Sequence, residues 1–251
     1  MESNLRYARQ IPLIGREGQE RLRRSTIMVI GLGGLGSIIS MYLAGAGVGR
    51  LILIDYDTVS LSDLHRQLLY TMDDLGKPKA DAASSRLNKI NPEVKVEAYR
   101  MVFSLNDPDS VRLVGESDVL VLAVDNFKTR LDANELAVKY GKPLVNGGVN
   151  GWYGLVTTVL PGETPCLFEL TPYTSNIAAC VEGLCNAVIG PVVGIVASWE
   201  SLEALRLASG LQPVLAGRLL FIDGSRGFID IIEVSRNPNC PVCGLKKPKD
   251  N

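Results

Sequence analysis

A chain of 251 residues, 46% of them hydrophobic, can bury a sizeable core and does not belong to the disordered class. With 26 basic and 27 acidic side chains the formal charge is -1, so no global field draws the protein to nucleic acid or anionic lipid, and any phosphate site has to be local. The N-terminus has no apolar run suited to a signal peptide, and the most apolar stretch, 188–208, carries Glu200, Glu203 and Arg206. That stretch reads as a buried helix rather than a membrane span, and a cytoplasmic protein is expected.

In chain order, the β-branched run 26–30 leads directly into Gly31-Leu32-Gly33-Gly34-Leu35-Gly36 and then into an apolar helical stretch, 38–46. A second strand, 50–54, ends at Asp55 and closes a βαβ unit. The pattern then predicts a helix over 76–91, a strand over 94–102 and a doubly buried strand over 118–124. A helix over 126–140 leads to 143–148, and a further strand follows over 153–160. Periodicity fails over 161–188, which reads as a long crossover loop. A helix over 190–210, strands over 218–222 and 228–234, and a Cys-containing tail at 237–244 complete the chain. This succession predicts an α/β fold: a Rossmann-like, mostly parallel sheet with helices on both faces, a mixed-sheet C-terminal part, and a single unit over 1–251.

The spacing of Gly31, Gly33 and Gly36 lets the backbone turn tightly and brings amides and a helix N-terminus up to phosphate. Asp55, at the end of the second strand, stands where a carboxylate accepts ribose hydroxyls. Neither feature separates NAD from ATP, so a nicotinamide-dependent oxidoreductase and a non-catalytic Rossmann scaffold stay open as alternatives. The segment 57–67 and Gly76-Lys77-Pro78-Lys79 add cations beyond the ribose position, which a triphosphate needs more than a dinucleotide does.

With Arg6-Tyr7-Ala8-Arg9-Gln10, the glycine loop, Asp55-Tyr56-Asp57-Thr58-Val59-Ser60-Leu61-Ser62-Asp63-Leu64-His65-Arg66-Gln67, Asn91-Pro92, Asp125-Asn126 and Asn237-Pro238-Asn239-Cys240-Pro241-Val242-Cys243, the chain resembles the ubiquitin-like protein activating enzymes. That family includes the adenylyltransferases of molybdopterin and thiamin biosynthesis. The resemblance implies ATP-dependent adenylylation of the C-terminal glycine of a ubiquitin-like or sulfur-carrier protein. By position it puts Gly31, Gly33, Gly34 and Gly36 near phosphates, Asp55 at the ribose, Arg66 and Lys79 at the triphosphate and Asp125 at Mg2+. Asp57, Gln67 and Asn126 join the nucleotide contacts. It also implies a homodimer in which Arg9 reaches into the partner's site. One departure stands out: the family usually has Asn where this chain has Asp63. A negative charge beside a triphosphate is unfavourable unless it faces magnesium, Arg66 or solvent. The chemistry itself needs no general base, because a C-terminal carboxylate with a pKa of about 3.5 is already ionised at neutral pH.

All five cysteines lie in the last third of the chain. Cys240 and Cys243 have the Cys-x-x-Cys spacing that lets two thiolates grip one Zn2+. The resemblance adds Cys166 upstream and leaves the fourth ligand open between Glu169, Cys180 and water. It also makes Cys185 the leading acyl acceptor, since Glu182-Gly183-Leu184-Cys185-Asn186-Ala187 looks like the catalytic segment of the activating enzyme for ubiquitin-fold modifier. Cys180 looks like the reactive position of the sulfur-carrier branch. Both precede a helix start at Gly190-Pro191, whose dipole lowers a nearby thiol pKa.

Overall fold

The computed structural model describes residues 3–170 and 187–244. Eight strands form one sheet in the order β3-β2-β1-β4-β5-β6-β7-β8. The first five are β1 (Thr26–Ile30), β2 (Arg50–Ile54), β3 (Lys95–Tyr99), β4 (Val119–Leu122) and β5 (Leu144–Asn150), all running parallel. The other three, β6 (Tyr153–Val159), β7 (Arg218–Asp223) and β8 (Phe228–Glu233), continue antiparallel as a meander. The helices are α1 (Ser3–Arg6), α2 (Ile11–Arg24), α3 (Gly34–Ala46), α4 (Lys79–Ile90), α5 (Pro108–Glu116), α6 (Phe127–Tyr140) and α7 (Gly190–Ser209).

The unbroken apolar runs of the central strands are explained by cover on both faces. In β1, Ile27 and Val29 join one core cluster with α3, α4 and α7, while Met28 and Ile30 join the other with α5 and α6. Strands β2 and β4 split their side chains the same way. A period of two on a doubly covered sheet demands apolar residues at every position, hence the Ile-Val-Leu composition.

Boundaries shifted where local stereochemistry decides. Gly76 has φ 77° and Pro78 precedes the first helical turn, so α4 begins at Lys79 rather than at residue 76. The third strand stops at Tyr99, short of residue 102. Helix α5 was not anticipated, although Asp107 before Pro108 is an N-cap signal: its carboxylate accepts the Ser110 amide at 2.7 Å. Nor was α2 read from its pattern. The expected loop over 161–188 holds helical residues at 167–170, and its described remainder is turn, bend and bridge. Glu200 and Glu203, which argued against a membrane span, are both fully buried in α7. Among the described residues no helix is long and apolar enough to cross a membrane.

Candidate functional site

Strand order reverses between β1 and β4, and helices leave their C-terminal ends toward opposite faces, which opens a crevice there. A cleft of about 320 Å³ occupies this position. Its wall includes Gly31, Gly33, Gly34, Asp55, Asp57, Arg66, Gln67, Lys79, Asp125 and Asn126, so most of the residues read from sequence come together.

Two of the anticipated residues do not line it. Gly36 lies behind the loop: a Cβ there would fall 1.9 Å from the Gly31 carbonyl oxygen, so its part is to let helix and turn close on each other rather than to touch a ligand. Arg9 is exposed and stands outside the cleft of its own chain. Its neighbours are anchored. Tyr7 is buried and accepts from Asn91 Nδ2 at 2.8 Å, while Gln10 Nε2 donates to the Ala46 carbonyl at 3.0 Å. Cys180 and Cys185 lie outside the described residues.

Asp55 holds the loop in place. Its Oδ2 accepts the Leu32 amide at 2.6 Å and its Oδ1 the Asp57 amide at 2.7 Å. Burial pushes this carboxyl up, and those two amides and Lys79 oppose the shift. Each oxygen keeps a lone pair for a ribose hydroxyl. Asn126 caps α6 by accepting the Thr129 amide at 2.9 Å, which leaves the exposed Asp125 at the mouth of the cleft.

The cations are already paired. Lys79 Nζ lies 3.3 Å from Asp57 Oδ2 and 3.7 Å from Asp63 Oδ2, and Arg66 Nη2 lies 3.3 Å from Asp63 Oδ1. Arg66 also donates to the Ser62 carbonyl at 2.8 Å. Asp63 therefore does face Arg66, and Lys79 as well. Burial raises its pKa, but the Ser60 hydrogen bonds and the charges of Lys79 and Arg66 outweigh that effect and hold the carboxyl below its usual range.

One charged residue of the cleft wall was missed in the sequence. Arg130, one turn into α6, donates to Asn146 Oδ1, to the Gly147 carbonyl at 2.8 Å and to the Val124 carbonyl, and so ties the ends of β4 and β5 together. The available signal was its position four residues after the cap Asn126, which returns it to the N-terminal rim of α6. Across the strand, Glu200 presses on the bare Gly147, where a Cβ would meet its carboxylate at 2.3 Å. Burial pushes Glu200 well up, with Arg130 partly opposing.

A second constellation lies on the α5–α6 side of the sheet. Ligand atoms of Cys166, Glu169, Cys240 and Cys243 all fall within 4.8 Å of one another. The Cys166 and Cys240 sulfurs are 3.8 Å apart, and Cys243 Sγ donates to Glu169 Oε1 at 2.8 Å. Among the described residues, Glu169 is the one of those candidate fourth partners that stands beside the three thiols. Three sulfurs and a carboxylate oxygen suit a tetrahedral divalent cation. Burial pushes the thiols of Cys166 and Cys243 up, so such a cation has to displace protons.

Residues 7–242 match the model of the ThiF family. The sulfur carrier protein adenylyltransferase of Thermus thermophilus is 41% identical over 249 residues, covering 95% of this chain and 90% of that protein. The adenylyltransferase and sulfurtransferase MOCS3 of Dictyostelium discoideum is 36% identical over 96% of this chain, which spans only 57% of that longer relative. A crystal structure of E. coli MccB with ATP superimposes with a TM-score of 0.83 at 26% identity, covering 95% of this chain and 74% of the other.

The glycines of the loop should separate by contact. A Cβ on Gly33 meets nothing closer than Gln67 Nε2 at 3.7 Å, whereas one on Gly36 strikes backbone at 1.9 Å. Gly36→Ala is expected to cost several kcal/mol, roughly 3 or more, as a steric clash that forces the turn open. Gly33→Ala should stay within about 1 kcal/mol. Urea unfolding midpoints of the two variants test this, and equal midpoints would contradict the packing role of Gly36.

Proposed function

The chain belongs to the ThiF family, and on that premise we propose that it activates the C-terminal glycine carboxylate of a sulfur-carrier or ubiquitin-like protein by adenylylation with ATP. The observation that carries this reading is the meeting of Arg66 and Lys79, thirteen positions apart in sequence, on the same cleft wall as the glycine loop, Asp55 and Asp125. The carrier carboxylate attacks the α-phosphorus, the bond to the bridging oxygen breaks and pyrophosphate leaves. The attacking group is ionised at neutral pH, so the work left to the protein is alignment and stabilisation of phosphoryl charge. Gly33, Gly34 and the start of α3 would face the phosphates, Asp55 would accept the ribose, and Arg66 and Lys79 would meet the developing charge. Asp125 would hold Mg2+, for which one carboxylate together with phosphate oxygens and water suffices. A triphosphate needs this pair of cations more than a dinucleotide does.

The same reading includes a homodimer whose Arg9 completes the partner's site. The anchored Tyr7 and Gln10 favour it, since they hold Arg9 exposed on a fixed arm. Cys166, Glu169, Cys240 and Cys243 would hold Zn2+ with a structural part, because they lie on the covered face of the sheet and none of them lines the nucleotide cleft. Transfer of the acyl group to Cys185 would follow adenylylation.

Carrier-dependent ATP–pyrophosphate exchange tests the assignment and the dimer together. Lys79→Ala and Arg9→Ala should each lower exchange on the order of 10²–10³-fold. Mixed after subunit exchange, they should recover about a quarter of wild-type activity, since half the dimers are mixed and each holds one intact site. Cys185→Ala should keep exchange while losing a reductant-sensitive adduct with the carrier. No recovery in verified mixed dimers would remove the cross-subunit role of Arg9, and no exchange with any carrier would remove the adenylylation itself. Metal analysis of protein purified without added zinc should find one Zn2+ per chain, falling in Cys240→Ser; fully folded protein with a metal content near zero would rule the site out.

A further inference from the structure

Asp63 is a charged group in the cleft that the proposed reaction does not use. It is 7% exposed, it lines the cleft, and it stands at the end of the short turn Leu61–Asp63. Five donors surround it. Its Oδ2 accepts from the Ser60 amide at 3.0 Å and from Ser60 Oγ at 3.0 Å, and it forms an ion pair with Lys79 Nζ at 3.7 Å. Its Oδ1 accepts from Gln67 Nε2 at 2.8 Å and from Arg66 at 3.3 Å. The other carboxylate on Lys79, Asp57, has a side chain 50% exposed. Asp57 can turn outward into water when phosphate arrives, whereas Asp63 is held from all sides and cannot.

We propose that Asp63 is a built-in counter-anion that sets how tightly the triphosphate is held. It neutralises Arg66 and Lys79 before nucleotide binds and keeps a share of their charge afterwards. This rests on the ATP reading above and adds the residue that tunes it. With Asp57 and Asp63 both ionised, the four side chains sum to zero; with a neutral group at position 63 they sum to +1. One unit charge several ångströms from phosphate, at an effective dielectric of about 20–80, changes affinity by about 3- to 30-fold. The consequence is a site that releases ATP and pyrophosphate more readily than its two cations alone would allow.

Gln67 records the same constraint. An ionised carboxylate can only accept, so it draws the amide nitrogen of Gln67 toward itself. The opposite end, Gln67 Oε1, is left buried and without a hydrogen-bond partner among the described residues. Gln67 is 2% exposed and lines the cleft. In Asp63→Asn the new amide can donate to that oxygen after Gln67 turns over, while its own oxygen still accepts from Ser60. The substitution therefore removes the charge while keeping the Ser60 and Gln67 contacts, and Arg66 Nη2, which loses Oδ1, belongs to a side chain 25% exposed that water can reach.

Titration calorimetry of the full chain with MgATP and with adenosine tests the proposal. Asp63→Asn should bind MgATP about 3- to 30-fold more tightly than wild type, with a steeper loss of affinity as salt rises. Its affinity for adenosine, which carries no phosphate, should not change. Asp57→Asn should tighten MgATP binding less, because its charge is already screened by water. Equal or weaker MgATP binding by folded Asp63→Asn would overturn the proposal, as would an equal gain for adenosine. Asp63→Ser makes the same charge change in a smaller side chain and must show the same sign if the asparagine variant does not fold. Failure of wild type and variant alike to bind MgATP would instead remove the nucleotide reading, and this inference with it.

Discussion

The contact on which the rest of the site depends is the approach of Gly36 to the carbonyl of Gly31, close enough that no side chain can enter. Because α3 packs directly onto the end of β1, Gly33 and Gly34 at the start of α3 line the crevice where strand order reverses, while the Gly31 and Leu32 amides are held by the Ile54 carbonyl and by Asp55. Asp55 secures the arrangement from the neighbouring strand by accepting amides on either side of the cleft floor. Its carboxylate is thus a structural brace, and its two backbone hydrogen bonds offset part of the cost of burying it.

Around that rigid frame, charge is distributed so that the cleft is balanced before anything enters it. Lys79 stands at the first turn of α4 and Arg66 follows the turn 61–63, and both are matched by carboxylates of the same short region. A cation buried without a partner would be strongly unfavourable, so the fold supplies local anions beside both. Arg130 performs a different task. By joining the ends of β4 and β5 it fixes the loop that carries Asp125, and the bare Gly147 allows Glu200 to approach from the opposite face.

Much of this was legible in the sequence, for physical reasons that can be named. Parallel strands covered on both faces have to be apolar throughout, so β1, β2 and β4 stand out as runs, and the glycine spacing between β1 and α3 marks the turn. Arg66 and Lys79 were legible because their segments match a family pattern over nearly the whole chain. What was not legible depended on contacts distant in sequence. The acceptors of Arg130 lie at residues 124, 146 and 147, which no local pattern brings together. The contact of Glu169 with Cys243 joins residues 74 positions apart. Asp63 looked unfavourable in isolation, and only its surroundings of Ser60, Arg66, Gln67 and Lys79 show how its charge is accommodated. The missed α5 is a different case: the cap at Asp107 was present, but a nine-residue helix offers too short a period to stand out.

If this cleft adenylylates a carrier protein, a carboxylate oxygen of that carrier bonds to the α-phosphorus of ATP. The most direct measurement labels that oxygen. A carrier protein with ¹⁸O in its C-terminal carboxylate is incubated with enzyme and MgATP, the activated acyl group is captured by a thiol, and the released AMP is examined by mass spectrometry. Adenylylation followed by attack at the acyl carbon leaves one carrier oxygen on the phosphate, so AMP bearing a single ¹⁸O is predicted. Unlabelled AMP, or release of ADP and phosphate in place of AMP and pyrophosphate, would contradict it.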